Sequence, residues 1–241
     1  MRILVFIPTY NERENIVPLV AQILESPEKL DVLVVDDNSP DKTADVLLEA
    51  FPNNSRVHLL KRERKFGLGT AYSAGFRYTL DHGFDAAISM DADFSHDPKY
   101  LPDLIGASKN CDIVIGSRYI PGGKTVNWGI SRQFISRMAN LLAHHFISLR
   151  SADCTSGYRL FHAGVLQTLD FESIVADGYS YNLEVLKRAS DENMKIAEVP
   201  ITFVDRTRGK SKVSSIEIFK ALQTLLRLRF HAHSKHEMVR S

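Results

Sequence analysis

Five short, mostly apolar runs set the first half of the chain, and each stops at a cluster of polar residues. They span residues 3–7, 32–35, 57–60, 86–90 and 113–116. A continuous apolar run of this length reads as a strand buried on both faces of a parallel sheet. Between them, residues 12–24 place Ile16, Leu19, Val20, Ile23 and Leu24 at helical spacing, and residues 41–50 and 67–80 predict two more helices. A βαβαβαβ order with short connections implies an α/β fold with a doubly wound, mostly parallel sheet and helices on both faces. Ligands of such sheets bind beyond the carboxyl ends of the strands. Those ends carry PTYNE, DDNSPD, KRERKFGLG, DADFSH and GSRY.

The charge balance narrows the partners. Lys plus Arg is 30 against 29 Asp plus Glu, a net charge of +1. A nucleic-acid binder carries a larger basic excess, so no nucleic-acid partner is expected. Residues 206–241 hold nine Lys or Arg and two Glu. That basic end suits an anionic ligand or a membrane surface, or is a solvated helix face with a tail. Cys111 and Cys154 do not make a disulfide framework, and a reducing cytoplasmic setting is the default. The longest candidate span, residues 130–149, contains Arg132 and Arg137, so no transmembrane helix is expected.

The second half is less regular. Residues 119–129, with Pro121, Gly122 and Gly123, read as a mobile loop. Residues 130–149 read as a helix with an apolar face, 179–189 as another, and 196–204 as one strand. Ser214 and Glu217 form a capping box for a last amphipathic helix ending near Phe230. The expected organisation is a single domain over 1–230, with halves at about 1–117 and 118–230, then a basic tail, 231–241. His231, His233 and His236 belong to that tail.

Asp91 and Asp93 follow the fourth strand. Residues i and i+2 of an extended segment point the same way, so both carboxylates can face one ligand. Paired carboxylates with a diphosphate suit Mg²⁺ or Mn²⁺; the plain alternative is an acidic turn. Asp36 or Asp37 can accept hydrogen bonds from a nucleotide, or can serve the helix cap implied by Asn38-Ser39-Pro40-Asp41. Gly67-Leu68-Gly69 after a basic stretch favours anions at a helix start, or simply allows tight packing.

IPTYNE, VVDDNSPDKT, GLGTAYSAGF, DADFSHDP, GSRY, SRQFISRMAN, DCTSGYRLF and RTRGKSK occur in the order seen in family 2 glycosyltransferases. Within that family the chain resembles dolichyl-phosphate or polyprenyl-phosphate mannose synthases, from residue 3 to about 230. The resemblance implies the GT-A fold, GDP-mannose as donor, Mn²⁺ or Mg²⁺, and a dolichyl or polyprenyl phosphate acceptor. Carried over, Pro8, Tyr10 and Glu12 line the nucleotide pocket with Asp37 or Asp36, and Asp91 and Asp93 hold the metal and donor. Related synthases can have Gln two residues after the second Asp; Ser95 stands there in this chain, which leaves a third protein ligand open. Arg118, Arg132 and Ser136 hold the acceptor phosphate. Arg206 and Lys212 close over the donor diphosphate.

The residues themselves agree in part. Arg132, Ser136 and Asn140 share one helical stripe opposite an apolar face. That stripe fits a lipid phosphate, or is the solvent side of an ordinary amphipathic helix. A phosphate monoester, with a second pKa near ~6, arrives ionised and needs no general base. Catalysis is then expected from Asp93, Arg118 and Arg132, with Asp153 positioning sugar or acceptor, or else bonding the nearby turn. Peripheral contact with the cytoplasmic face of a membrane is expected, through Phe219, Leu222, Leu225 and Leu226 of the last helix unless they pack on the domain. The family also includes members that rely on small membrane partner subunits. The competing readings are a UDP-sugar donor, a noncatalytic nucleotide-sugar-binding module and a phospho-receiver domain.

Overall fold

The structure, a computed structural model, describes residues 1–174, 176, 178–205 and 223–229. The first half follows the alternation of the sequence: β1 (Ile3–Thr9), α1 (Arg13–Leu24), β2 (Asp31–Asp36), α2 (Thr43–Ala50), β3 (Val57–Lys61), α3 (Leu68–Asp81) and β4 (Ala86–Ser89). Next come α4 (Leu101–Ala107), β5 (Ile113–Ser117), β6 (Lys124–Val126) and α5 (Ile130–Ile147). The second half closes with β7 (Arg159–His162), α6 (Ala163–Thr168), α7 (Tyr179–Asp191), β8 (Ile196–Pro200) and β9 (Thr202–Val204).

Seven strands form one sheet in the order β3-β2-β1-β4-β7-β5-β8. β1 pairs in parallel with β2 and β4, β2 with β3, and β5 with β8, whereas β7 runs antiparallel to both β4 and β5. Because successive strand residues face opposite ways, Leu4 and Phe6 enter one core while Ile3, Val5 and Ile7 enter the other. The first core takes residues of α3, α5, α6 and α7, and the second takes residues of α1, α2 and α4.

Helix α3 lies close on β1 because Gly75 has no side chain. A Cβ there would meet Phe6 Cδ2 at 2.5 Å. Gly75→Ala is expected to destabilise the fold by about 1–3 kcal/mol through overpacking. Denaturant unfolding checks this, and an unchanged midpoint would contradict it.

Three local expectations change. Residues 119–129 are not wholly loop, since β6 pairs in parallel with β9 as a second, two-stranded sheet. Residues 196–204 are two strands, not one. Pro200 has no N–H to donate and ends β8; Ile201 then donates to Ser117 O (2.9 Å) and accepts from Lys124 N (3.0 Å), carrying the chain to β9. The DCTSGYRLF segment contains β7, a four-residue strand too short for its period to mark it.

Residues 223–229 are helical. Leu225 is buried, Arg227 pairs with the buried Glu184, and Arg229 lies over the Phe146 ring, 5.3 Å from its centroid. This part of the last helix therefore packs on the domain. The capping box at Ser214 and the tail lie outside the described residues.

Candidate active site at the strand ends

The carboxyl ends of β1 and β2 are laced together. Asp36 is fully buried, and its carboxylate accepts from Thr9 Oγ1 (2.9 Å), Ser39 N (2.9 Å) and Ser39 Oγ (2.6 Å). It braces the two strand ends through these bonds. Asp37 is ion-paired with Arg62, whose guanidinium also donates to Thr70 Oγ1 (2.8 Å) and Gly67 O (3.1 Å). At the expected cap region the N-cap of α2 is Lys42, and Asp41 before it accepts from Thr43 N (3.0 Å). Gly67 starts α3 at φ +100°, a conformation that favours glycine. Pro8 is half-buried in β1, Lys65 Nζ sits 4.0 Å from the Tyr10 ring centroid, and Glu12 accepts from Asn15 Nδ2 (2.8 Å). Tyr10 and Asp37 meet the basic segment after β3 through Lys65 and Arg62, a rim that Pro8 and Glu12 flank along the chain.

Asp91 and Asp93 sit in a tight loop just beyond β4 rather than in an extended strand. The alternation survives: Ala92 is buried, while Asp91 and Asp93 are half-buried, the Asp91 side chain 38% exposed. Phe94 takes φ +61°, and the Ser95 N–H turns back to Asp93 Oδ1 (3.1 Å). Ser95 itself is buried. Among the described residues no group of three or more His, Cys, Asp or Glu gathers to hold a metal. Two carboxylates are thus the side-chain donors this loop offers. Oxygen donors of this kind fit a hard divalent cation that takes its other ligands from phosphate and water.

His96, which the sequence did not single out, backs this loop. It is 1% exposed, stacked on Tyr158 (4.9 Å, 19°) and set edge-on to Phe203 (5.5 Å, 79°). Its Nδ1 accepts the Asp91 backbone N–H at 3.0 Å. Burial pushes the imidazole below its ordinary value, against the pull of Asp91 and Asp93. The ring is therefore neutral, with its proton on Nε2.

The second cluster begins where β5 ends. Arg118 is buried and grips Asp153 through its backbone N–H (3.0 Å), Nε (2.7 Å) and Nη2 (2.6 Å). Asp153 is 0% exposed and also accepts from Thr155 Oγ1 (3.2 Å) and Ser156 N (3.1 Å). Burial pushes its carboxyl up, but the Arg118 charge and the hydrogen bonds outweigh that and hold it below the usual value. Asp153 thus anchors Arg118 and its own turn. Glu198 of β8 fixes the same turn by accepting from Ala152 N (2.7 Å) and Asp153 N (3.0 Å). The fully buried Arg159 steadies it from below, donating to Cys154 O (2.7 Å) and Asn182 O (2.9 Å). Burial lowers Arg159 to about 10 and lifts the Cys154 thiol to about 12, so Cys154 is no nucleophile at neutral pH.

The stripe on α5 forms as expected. Arg132 pairs with Asp205 (2.6 Å), Ser136 Oγ accepts from Tyr119 Oη (2.7 Å), and Asn140 Oδ1 accepts from Cys154 N (2.7 Å). Trp128 joins the arginines: Arg132 lies 4.3 Å and Arg118 5.1 Å from its ring centroid. Trp128 and Arg118 both also rest on Phe203, at 5.3 and 5.4 Å. Phe203 therefore touches the His96 that backs the acid pair and the residues that gather the arginines. The same helix exposes Ile130 (87%), Phe134 and Leu141. Arg206 and Lys212 lie outside the described residues.

Known proteins match this arrangement along most of the chain. A family model described as glycosyl transferase family 2 matches residues 4–170. An undecaprenyl-phosphate mannosyltransferase of Micrococcus luteus is 42% identical over 94% of this chain and 93% of its own length. A polyprenol monophosphomannose synthase of Mycolicibacterium smegmatis is 41% identical over 92% of this chain and 84% of its own. Among solved structures, glucosyl-3-phosphoglycerate synthase from Mycobacterium tuberculosis, bound to phosphoglyceric acid, superposes with a TM-score of 0.70 over 94% of this chain and 79% of that one. At 18% identity it bears on the fold alone, which is the GT-A arrangement of a mostly parallel sheet. From the family match over two thirds of its length, and from relatives above 40% identity across nearly all of it, the chain belongs to glycosyl transferase family 2.

Proposed function

We propose that this protein transfers mannose from GDP-mannose to the phosphate of a polyprenyl or dolichyl monophosphate, with inversion at the anomeric carbon. One observation carries the reading: Phe203 touches Arg118 directly, Arg132 through Trp128, and the loop of the carboxylate pair through His96. A donor diphosphate and an acceptor phosphate can then meet over one sugar carbon. The names of the two mannosyl-transferring relatives supply the sugar and the lipid class.

In this reading Asp91 and Asp93 hold Mn²⁺ or Mg²⁺, which neutralises the diphosphate leaving group. The rim of Pro8, Tyr10, Glu12 and Asp37 receives the nucleotide. Arg132, with Ser136, takes the lipid phosphate, because a guanidinium binds phosphate through two hydrogen bonds. Arg118, pinned by Asp153, adds fixed positive charge behind the Trp128 ring. Arg206 and Lys212 are assigned to the diphosphate from their place in the RTRGKSK motif. The phosphate nucleophile brings its own negative charge, so the site supplies position and charge rather than a base.

The lipid has a surface to approach. Among the described residues no helix is long and apolar enough to cross a membrane. Ile130, Phe134 and Leu141 lie exposed on the helix that carries Arg132, with Arg137 exposed beside them. An apolar stripe flanked by basic charge suits peripheral seating on an anionic bilayer at the cytoplasmic face.

A UDP-sugar donor is the second reading. The structurally similar glucosyl-3-phosphoglycerate synthase was solved with Mn²⁺ and UDP-glucose. Purified protein given a short polyprenyl phosphate, Mn²⁺ and each of GDP-mannose, UDP-glucose and UDP-GlcNAc separates the two. Glycolipid from GDP-mannose alone is expected; glycolipid only from a UDP-sugar would replace the donor. In the same assay Arg132→Ala is expected to raise the acceptor KM by about 10-fold or more, the loss of a charge-assisted bidentate contact. An acceptor KM within about 2-fold of wild type would remove Arg132 from the phosphate site.

A further inference from the structure

We infer that His96 is a positioning residue for the acid pair: its Nδ1 holds the Asp91 backbone N–H and so aims the Asp91 carboxylate at the divalent cation. The inference rests on the reading of Asp91 and Asp93 as cation ligands.

A backbone N–H can only donate, so the 3.0 Å contact from Asp91 N requires an unprotonated Nδ1. The bond runs from the first residue of the loop to the sixth and closes it as a ring. Its acceptor is closely packed. Tyr158 covers one face of the imidazole and Phe203 meets it edge-on, and the ring is almost wholly removed from solvent. Behind it stands Gly157, where a Cβ would lie 2.8 Å from Tyr72 Oη and 3.6 Å from His96 Cε1. The chain passes this point as glycine, which leaves room for both rings.

The two carboxylates are thus oriented by different means. Asp93 is turned by the Ser95 N–H at 3.1 Å. Asp91 is turned through its own peptide, whose N–H faces inward to His96 while its carboxylate remains partly exposed, Oδ2 lying 3.7 Å from Nδ1. A neutral imidazole does this without placing positive charge behind a cation site. Residues that orient ligands without touching the metal commonly alter its affinity by about 10–100-fold when removed.

Asn and Leu at position 96 make the test, because they share one shape and both discard the ring. Asn Oδ1 falls where His Nδ1 stood and can still accept the Asp91 N–H; Leu cannot. Mn²⁺ binding to the full chain with GDP, followed by loss of the free Mn²⁺ electron paramagnetic resonance signal, gives the readout. His96→Leu is expected to weaken Mn²⁺ by about 10-fold or more, and His96→Asn to recover to within about 3-fold of wild type. Asp91→Asn serves as the control and is also expected to weaken binding. Wild-type affinity in His96→Leu beside a weakened Asp91→Asn overturns the inference alone. Wild-type affinity in Asp91→Asn overturns the cation reading and the inference together. An equal loss in His96→Asn and His96→Leu assigns His96 to packing and also overturns it. Without any substitution, the Asp91 amide is expected to exchange slowly with deuterium, and fast exchange contradicts the bond itself.

Discussion

Asp93→Ala is expected to lower kcat/KM for sugar transfer by about 10³-fold or more, close to 4 kcal/mol of lost transition-state stabilisation. The reason is where charge appears. When the sugar leaves its diphosphate, negative charge builds on the phosphate oxygens, and charge stabilisation at that point is the largest contribution a site of this design has. Asp93 is half-buried on a loop beyond β4, not a member of either core. Its removal should therefore leave the fold standing while activity falls. Asp91→Ala should behave alike. Initial rates over a range of donor concentrations, with thermal melting as the control, check the expectation. Activity within about 3-fold of wild type, with ordinary metal dependence, would remove the acid pair from the chemistry.

The second large effect is on stability. Asp153→Asn is expected to destabilise the protein by about 3–5 kcal/mol, because it leaves the buried Arg118 charge without its counter-charge. The pH dependence has a definite sign. Asp153 sits below its ordinary carboxylate value in the folded protein. Its contribution is therefore fully present above the unfolded value, near ~3.9. It is lost as pH falls through the lower folded value. Wild-type stability should decline through that acid window, and Asp153→Asn should decline less steeply there. Urea unfolding at a series of pH values measures both. A neutral-pH loss below about 1 kcal/mol, or parallel curves in acid, would contradict the anchor role.

Much of the fold is legible in sequence because strands buried on both faces must be apolar throughout. That rule marks β1, β2, β4 and β5 and the polar clusters at their ends, where the rim and the acid pair lie; β3, expected to be buried on both faces, is instead an edge strand, half-buried over residues 57–60. The remainder depends on contacts between distant segments. β7 is four residues long and enters between β4 and β5 from far along the chain. β6 and β9 pair across more than seventy residues, and the Thr202 N–H bonds Tyr100 Oη across 102. Neither leaves a local pattern.

The site divides the same way. Arg132, Ser136 and Asn140 show by spacing that they share one helical stripe, and Arg118 is picked out by its GSRY motif. Trp128 and Phe203 read only as apolar residues, yet they gather the arginines and join them to the acid loop. Asp153 reads in sequence as a carboxylate that positions sugar or acceptor or bonds its turn; its complete burial against Arg118 shows itself only in the fold. His96 follows the acid pair by three residues in DADFSH, a signal the sequence carried. What gives it meaning is the Asp91 N–H it accepts, which only the folded loop reveals.

One product measurement tests the proposed transfer most directly. Purified protein is incubated with GDP-mannose and either a polyprenyl monophosphate or the matching polyprenol, and the lipid fraction is analysed by mass spectrometry. A mannosyl phosphopolyprenol is expected from the phosphate and no mannolipid from the alcohol, because in the proposed reaction the phosphate is both the nucleophile and the ligand of Arg132. Mannose transferred equally to the alcohol, or to neither lipid while a UDP-sugar is transferred to the phosphate, would contradict it.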